Sequence, residues 1–259
     1  MTLTRRHFLA TSAAITVLPY AAKAEAHSMH TFDTASGQIT MHPVEHASIV
    51  FETPAGVIYV DPVGDAEAYA DFPAPNLVII THEHGDHFDP ETLAAVAPDA
   101  PMITNPAVFE LLPDDMQNRA MAMANGDITT MLGVDITAIP AYNTTEDRLD
   151  FHPMGRDNGY VMTIDGFRVY VSGDTEDIPE MRSLENIDLA FVSMNLPFTM
   201  DKEAAASAVN EFAPRYVYPY HYRGRDGGTQ DPQEFVALLN DGIEGRTAGW
   251  YGDDVMPEG

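Results

Sequence analysis

The six residues His82-Glu83-His84-Gly85-Asp86-His87 put three imidazoles and a carboxylate directly behind the apolar run Leu77-Val78-Ile79-Ile80. A run that short and that apolar, ending in a polar turn, reads as a buried strand. The cluster then sits on the loop at the strand's C-terminal end, where open α/β sheets carry their chemistry. His82 and His84 alternate along extended backbone, so both rings can point the same way. Asp86 and His87 follow the turn at Gly85 and can address a second nearby position. Imidazole nitrogen and carboxylate oxygen are ligands for zinc and its neighbours. The loop is therefore expected to hold one or two divalent metals, zinc first. Manganese or iron fits as well, because every donor is nitrogen or oxygen. A solvated polar loop is the competing reading, but it does not call for this density of ligands.

Composition narrows what such a chain can do. Its 259 residues suit one large α/β domain, and no stretch has the makeup of an interdomain linker. A chain of this size can bury a substantial core without disulfides, and it contains no cysteine, so thiolate ligands and a cysteine nucleophile are excluded. The formal charge of −27, from 40 acidic and 13 basic residues, opposes contact with nucleic acid or an anionic membrane.

Residues 1–26 read as an export signal outside the fold. Thr4-Arg5-Arg6-His7-Phe8-Leu9 precedes an apolar stretch over residues 13–22, and the small-residue patterns Ala22-Lys23-Ala24 and Ala24-Glu25-Ala26 follow. The paired arginines resemble the twin-arginine type, and the apolar part is short for a membrane span. The expectation is recognition by the twin-arginine export machinery, cleavage near Glu25 or His27, no stable membrane anchor afterwards, and a periplasmic or secreted protein. Residues 27–38 are polar and read as a flexible lead-in to a single domain over 39–259.

Further along, apolar runs separated by Pro/Gly turns predict strands around residues 47–52, 57–61, 102–104, 160–164, 167–171, 189–194 and 215–218. Residues 128–139 read as two strands about a Leu132-Gly133 turn, and Asp165-Gly166 marks another hairpin. Asp89-Pro90, Asp201 and Asp231-Pro232 have the chemistry of helix starts. Residues 106–112 read as a short helix and 121–126 as connecting structure.

The His-x-His-x-Asp-His loop resembles the motif of metallo-β-lactamase-fold hydrolases. The likeness runs over about residues 39–251 and is greatest to the lactonase-like and metal-dependent-hydrolase branches. It implies an α/β, four-layer αβ/βα sandwich of two mixed β-sheets with helices outside. It gives Asp174, in Ser172-Gly173-Asp174-Thr175, the part of a carboxylate bridging two metals, and His221 that of the last metal-binding histidine. His82, His84, Asp86 and His87 complete the set, and Asp86 can also orient the attacking water. His46 and Asp61 fall just beneath the site; Asp61 is expected to orient a ligand such as His84, while an ordinary core histidine is the alternative for His46. Many members carry a histidine where this chain has Asn143. Either His152, in Phe151-His152-Pro153, replaces it, or water or Asn143 fills the gap. Arg223, in a loop with Arg225, could hold a substrate carboxylate or phosphate. The implied activity is hydrolysis of an ester, lactone or phosphodiester small molecule by a metal-activated water. The competing function is a non-catalytic metal-binding or scaffold protein on the same fold, and Asn143 is the feature that favours it.

Overall fold

In the computed structural model, which describes residues 30–224 and 228–251, the chain builds two seven-stranded sheets on one plan. The first runs β1 (His30–Asp33), β2 (Gln38–Pro43), β3 (Ile49–Thr53), β4 (Gly56–Val60), β5 (Leu77–Ile79), β6 (Met102–Thr104) and β7 (Ala120–Ala122), in that spatial order. The second runs β8 (Ile128–Met131), β9 (Val134–Ala141), β10 (Asp157–Ile164), β11 (Phe167–Val171), β12 (Leu189–Ser193), β13 (Tyr216–Tyr220) and β14 (Glu244–Gly245). In each sheet the first four strands are antiparallel neighbours, and the fourth begins a run of parallel pairings. Helices α1 (Pro90–Val96), α2 (Pro106–Leu111) and α3 (Asp114–Gln117) follow the first sheet's parallel strands. Helices α4 (Pro179–Arg182), α5 (Lys202–Phe212) and α6 (Pro232–Ala237) do so in the second. This is the four-layer sandwich that the sequence implied.

Strand alternation produces the layers. In β5, Leu77 and Ile79 face the core shared by the two sheets, whereas Val78 and the following Ile80 face the helices. In β12, Leu189 and Phe191 point inward and Ala190 and Val192 outward. Both faces are buried, so these strands read as unbroken apolar runs. The helix starts follow the predicted caps: Asp89 accepts from Glu91 and Thr92 backbone N–H groups, and Asp201 from Ala204.

Two readings change. Residues 30–33, assigned to the lead-in, form β1, whose Phe32 is buried against Phe167 and Tyr216. A half-exposed edge strand with one large apolar residue has little local signature. Residues 120–122 pair with β6 rather than merely connecting, again at a sheet edge. The export signal expected at residues 1–26 lies outside the described residues. No helix among the described residues is long and apolar enough to cross a membrane.

Candidate metal centre

The site forms where the C-terminal ends of strands from both sheets meet. Asp61 follows β4 and the histidine-rich loop follows β5; Asn143 follows β9, Asp174 follows β11, Asn195 follows β12 and His221 follows β13. Gly173 permits the approach of the two halves. Its φ is +62°, and a Cβ there would lie 2.8 Å from the Asn158 carbonyl and 3.1 Å from the Thr81 Cβ. His46, Asp61 and His221 hold left-handed backbone, with φ of 50°, 45° and 50°. Each such residue costs on the order of 1 kcal/mol, a strain found at sites where side chains must be aimed.

The aimed atoms converge in three groups, each with donors within 4.8 Å of one another: His82, His84 and His152; His82, His87 and Asp174; and His46, Asp86 and His221. Asp174 stands between two sets. Its Oδ2 lies 3.4 Å from His152 Nε2, while its Oδ1 lies 3.3 Å from His87 Nε2 and 3.6 Å from His221 Nε2. Asp86 Oδ2 is 3.3 Å from His221 Nε2 and 3.3 Å from His46 Nε2. His82 Nε2 is 3.1 Å from His84 Nδ1.

The donor set fits divalent metal. His87 Nε2, His152 Nε2 and Asp174 Oδ1 are buried without a hydrogen-bond partner. Leaving such groups unsatisfied costs about 1–3 kcal/mol each, a large share of a stability of about 5–15 kcal/mol. A shared cation removes that cost.

Groups outside the cluster fix how the rings face. Asp61 accepts from His87 Nδ1 at 2.7 Å and also receives the Thr81 N–H and hydroxyl. The histidine it orients is thus His87, not His84, because it is His87 whose ring turns back under the loop. His152, not Asn143, enters the cluster. Asn143 Oδ1 lies behind it, 2.7 Å from His152 Nδ1, and the Asn143 amide donates to the Phe198 carbonyl. Glu176 pins the loop carrying Asn143 through the N–H and hydroxyl groups of Thr144 and Thr145. Arg156 ties the His152 loop to the histidine-rich loop: it bonds the Phe151 carbonyl, pairs with Asp157 and meets Glu83 at 2.9 Å. His46 is not an interior core histidine; it lines the cavity.

Electrostatics separates the donors. Burial lowers His82, His84 and, to about 4, His152. Burial also opposes charge on His87, but the Asp174 and Asp61 carboxylates outweigh it and raise that ring well above its usual value. Asp174 is held well below the carboxylate range: burial works against this, and the neighbouring His221 and His87 overcome it. Asp86 is likewise lowered despite burial, by the His221 and His46 rings, whose Nε2 atoms each face its Oδ2 at 3.3 Å.

A cavity of about 560 Å³ opens over these groups, lined by His46, His84, Asp86, His152, Asp174, Asn195, Phe151, Phe198, Arg223 and Gly224. Arg223 stands at its edge, its guanidinium 4.2 Å over the Tyr251 ring. Arg225 lies outside the described residues. Phe198, in the stretch 195–199 that the sequence places at the pocket after β12, and Phe151 form an aromatic wall and pack edge to face at 5.1 Å. Phe151 was not reached from the sequence; its only signal was its place beside His152.

Comparison with known proteins agrees with this geometry. A family model described as "Beta-lactamase superfamily domain" matches residues 40–221, a span that includes every group from His46 to His221. A UPF0173 metal-dependent hydrolase from Thermococcus onnurineus (strain NA1) is 32% identical over 173 residues, 65% of this chain and 76% of that protein. A crystal structure described as that of a metal-dependent hydrolase from Parabacteroides distasonis ATCC 8503 is 41% identical. It superposes with a TM-score of 0.77, over 86% of this chain and 99% of that one. A metallo hydrolase from Ignicoccus hospitalis KIN4/I shares the fold at 23% identity, with a TM-score of 0.65 over 81% of this chain and 94% of that one.

Proposed function

From the premise that the chain belongs to the beta-lactamase superfamily and is a metal-dependent hydrolase of that fold, we propose that it hydrolyses a small ester, lactone or phosphodiester outside the cytoplasm. The observation that carries the reading is Asp174, whose two oxygens face two separate sets of histidines. His82, His84 and His152 with Asp174 Oδ2 would hold one cation; Asp86, His87 and His221 with Asp174 Oδ1 would hold a second. Such cations supply Lewis acidity and make water a competent nucleophile near neutral pH.

The chain's own residues do the rest. Asp86 lines the cavity and is assigned to orient the attacking water. Thr81, Asp61, Asn143 and Asn195 keep the rings turned toward the cavity. Arg223 offers a planar fork at the cavity edge for a substrate carboxylate or phosphate, and Phe151 and Phe198 offer an apolar wall. Zinc is the first choice of metal, with manganese or iron compatible with an all-nitrogen-and-oxygen set. The arginine pair and small-residue patterns of residues 1–26 support export by the twin-arginine route and a periplasmic or secreted location.

Purified protein loaded with zinc or manganese is tested against lactone, ester and phosphodiester panels. Metal-dependent turnover on one panel, lost in Asp174→Asn, is expected; tight metal binding without turnover on any panel would favour the non-catalytic alternative. N-terminal sequencing of exported protein is expected to begin near Glu25 or His27, and an intact Met1 would refute export with cleavage.

A further inference from the structure

The rings around the centre follow one rule. Where Nε2 faces the cluster, Nδ1 is held from behind. Thr81 Oγ1 lies 3.0 Å from His82 Nδ1, Asp61 Oδ2 2.7 Å from His87 Nδ1 and Asn143 Oδ1 2.7 Å from His152 Nδ1; the Asn195 amide lies 2.8 Å from His221 Nδ1 and accepts its N–H once the amide is turned over, which also gives its otherwise unpartnered Oδ1 a partner. A metal-binding histidine commonly has such a second contact, which fixes tautomer and ring plane. His46 repeats the arrangement: its Nδ1 lies 2.7 Å from the Tyr251 hydroxyl, and its Nε2 faces Asp86.

Distance separates the two kinds of contact. The outer partners sit at 2.7–3.0 Å from their rings, ordinary hydrogen-bond lengths. Carboxylate–imidazole gaps inside the cluster are 3.3–3.6 Å. A charge-assisted N–H···O bond would close to about 2.7–2.9 Å. The His46 Nε2 gap to Asp86 Oδ2, 3.3 Å, belongs to the inner kind and equals that of His221 to the same oxygen. The His46 and His221 rings lie 3.8 Å apart, and His46, Asp86 and His221 each offer an atom within 4.8 Å of the other two. Tyr251 is itself held: the Arg223 N–H donates to its hydroxyl at 3.4 Å, the guanidinium covers its ring, and Tyr222 packs edge-on at 5.0 Å. It lies beyond the span of the family match.

We propose that His46 is a further protein ligand at the second metal position, beside Asp86, His87, His221 and Asp174, with Tyr251 as its positioning residue. The inference rests on the metal reading above. It gives that position five protein donors, more than the four of a tetrahedral zinc site. With that many donors the second position accepts manganese or iron as readily as zinc.

The test is proton NMR of the full protein loaded with cobalt(II), which shifts the exchangeable ring N–H of each bound histidine. His46→Asn keeps a residue type that accepts left-handed backbone. It is expected to lose one shifted N–H signal, to weaken the second cation about 100-fold, and to leave the first unchanged. Tyr251→Phe is expected to keep the His46 signal with faster solvent exchange and to weaken the second cation about tenfold. An identical set of shifted signals in wild type and His46→Asn overturns the proposal and leaves His46 as a neighbour of Asp86. Failure of cobalt to bind either position is a different result and overturns the metal reading together with it.

Discussion

The two proposed metal positions share Asp174 and a single loop, yet they differ in charge. The first draws on His82, His84 and His152, all of which burial keeps neutral at pH 7. Its donors are ready, and no proton has to leave. The second combines Asp86 and His221 with His87, whose ring the Asp174 and Asp61 carboxylates hold protonated against the pull of burial. A cation there must displace a proton. One short motif thus builds a neutral nitrogen pocket from its first two histidines and a charged pocket from its Asp-His end. The difference arises because His87 lies between two carboxylates, Asp174 at its Nε2 and Asp61 at its Nδ1.

The strongest way to break this comparison is Asp174→Asn, which removes the shared carboxylate. Both positions are expected to weaken, and kcat/KM on whichever substrate is found to fall roughly 10³-fold, equivalent to several kcal/mol of lost charge stabilisation. Elemental analysis of the purified variant reports the metal content. Two firmly held cations in Asp174→Asn would show that the positions do not share this residue.

His152→Ala and His221→Ala sharpen it next. Each is expected to empty its own position and leave about one equivalent of metal in the other, with turnover reduced on the order of 10²-fold. Equal loss of both cations in either variant would mean that the positions act as one.

The charge difference has a pH signature. A ring with a raised folded-state value binds a proton that the metal must expel. Affinity at the second position should therefore climb about tenfold per pH unit until the His87 proton is gone. The first position should change less over the same range, since burial lowers His82, His84 and, to about 4, His152. Calorimetry in two buffers of different ionisation enthalpy measures the protons released; equal release at both positions would contradict the assignment. The smallest effect expected is that of Arg156→Met. It cuts the tether between Glu83 and the His152 loop and should weaken only the first position, by up to about tenfold in a chelator competition.

The fold was legible because its signals are local. Leu77–Ile79 and Leu189–Ser193 are short apolar runs buried on both faces, the Asp165-Gly166 hairpin turns as its dipeptide requires, and Asp89 and Asp201 cap the helices that follow them. Of the strands that escaped, β1, β7 and the two-residue β14 lie at an edge of their sheet and are short and half-exposed, while the interior β2 offers only Ile39 and Met41 ahead of His42-Pro43. In the site, the crowding of His82, His84, Asp86 and His87 is likewise a property of consecutive residues.

What the amino-acid order determined by itself was therefore the strand ends, the dense ligand loop and the strongly acidic character of the chain. Only the tertiary structure decided that His152 rather than Asn143 faces the cluster, that Asp61 serves His87 rather than His84, and that His46 joins Asp86 and His221 with Tyr251 behind it. Each of these depends on which ring nitrogen finds a partner from another segment; Tyr251 lies 205 residues from His46. A ring's direction is set by hydrogen bonds formed through space once the two sheets have packed, and no spacing along one segment encodes it.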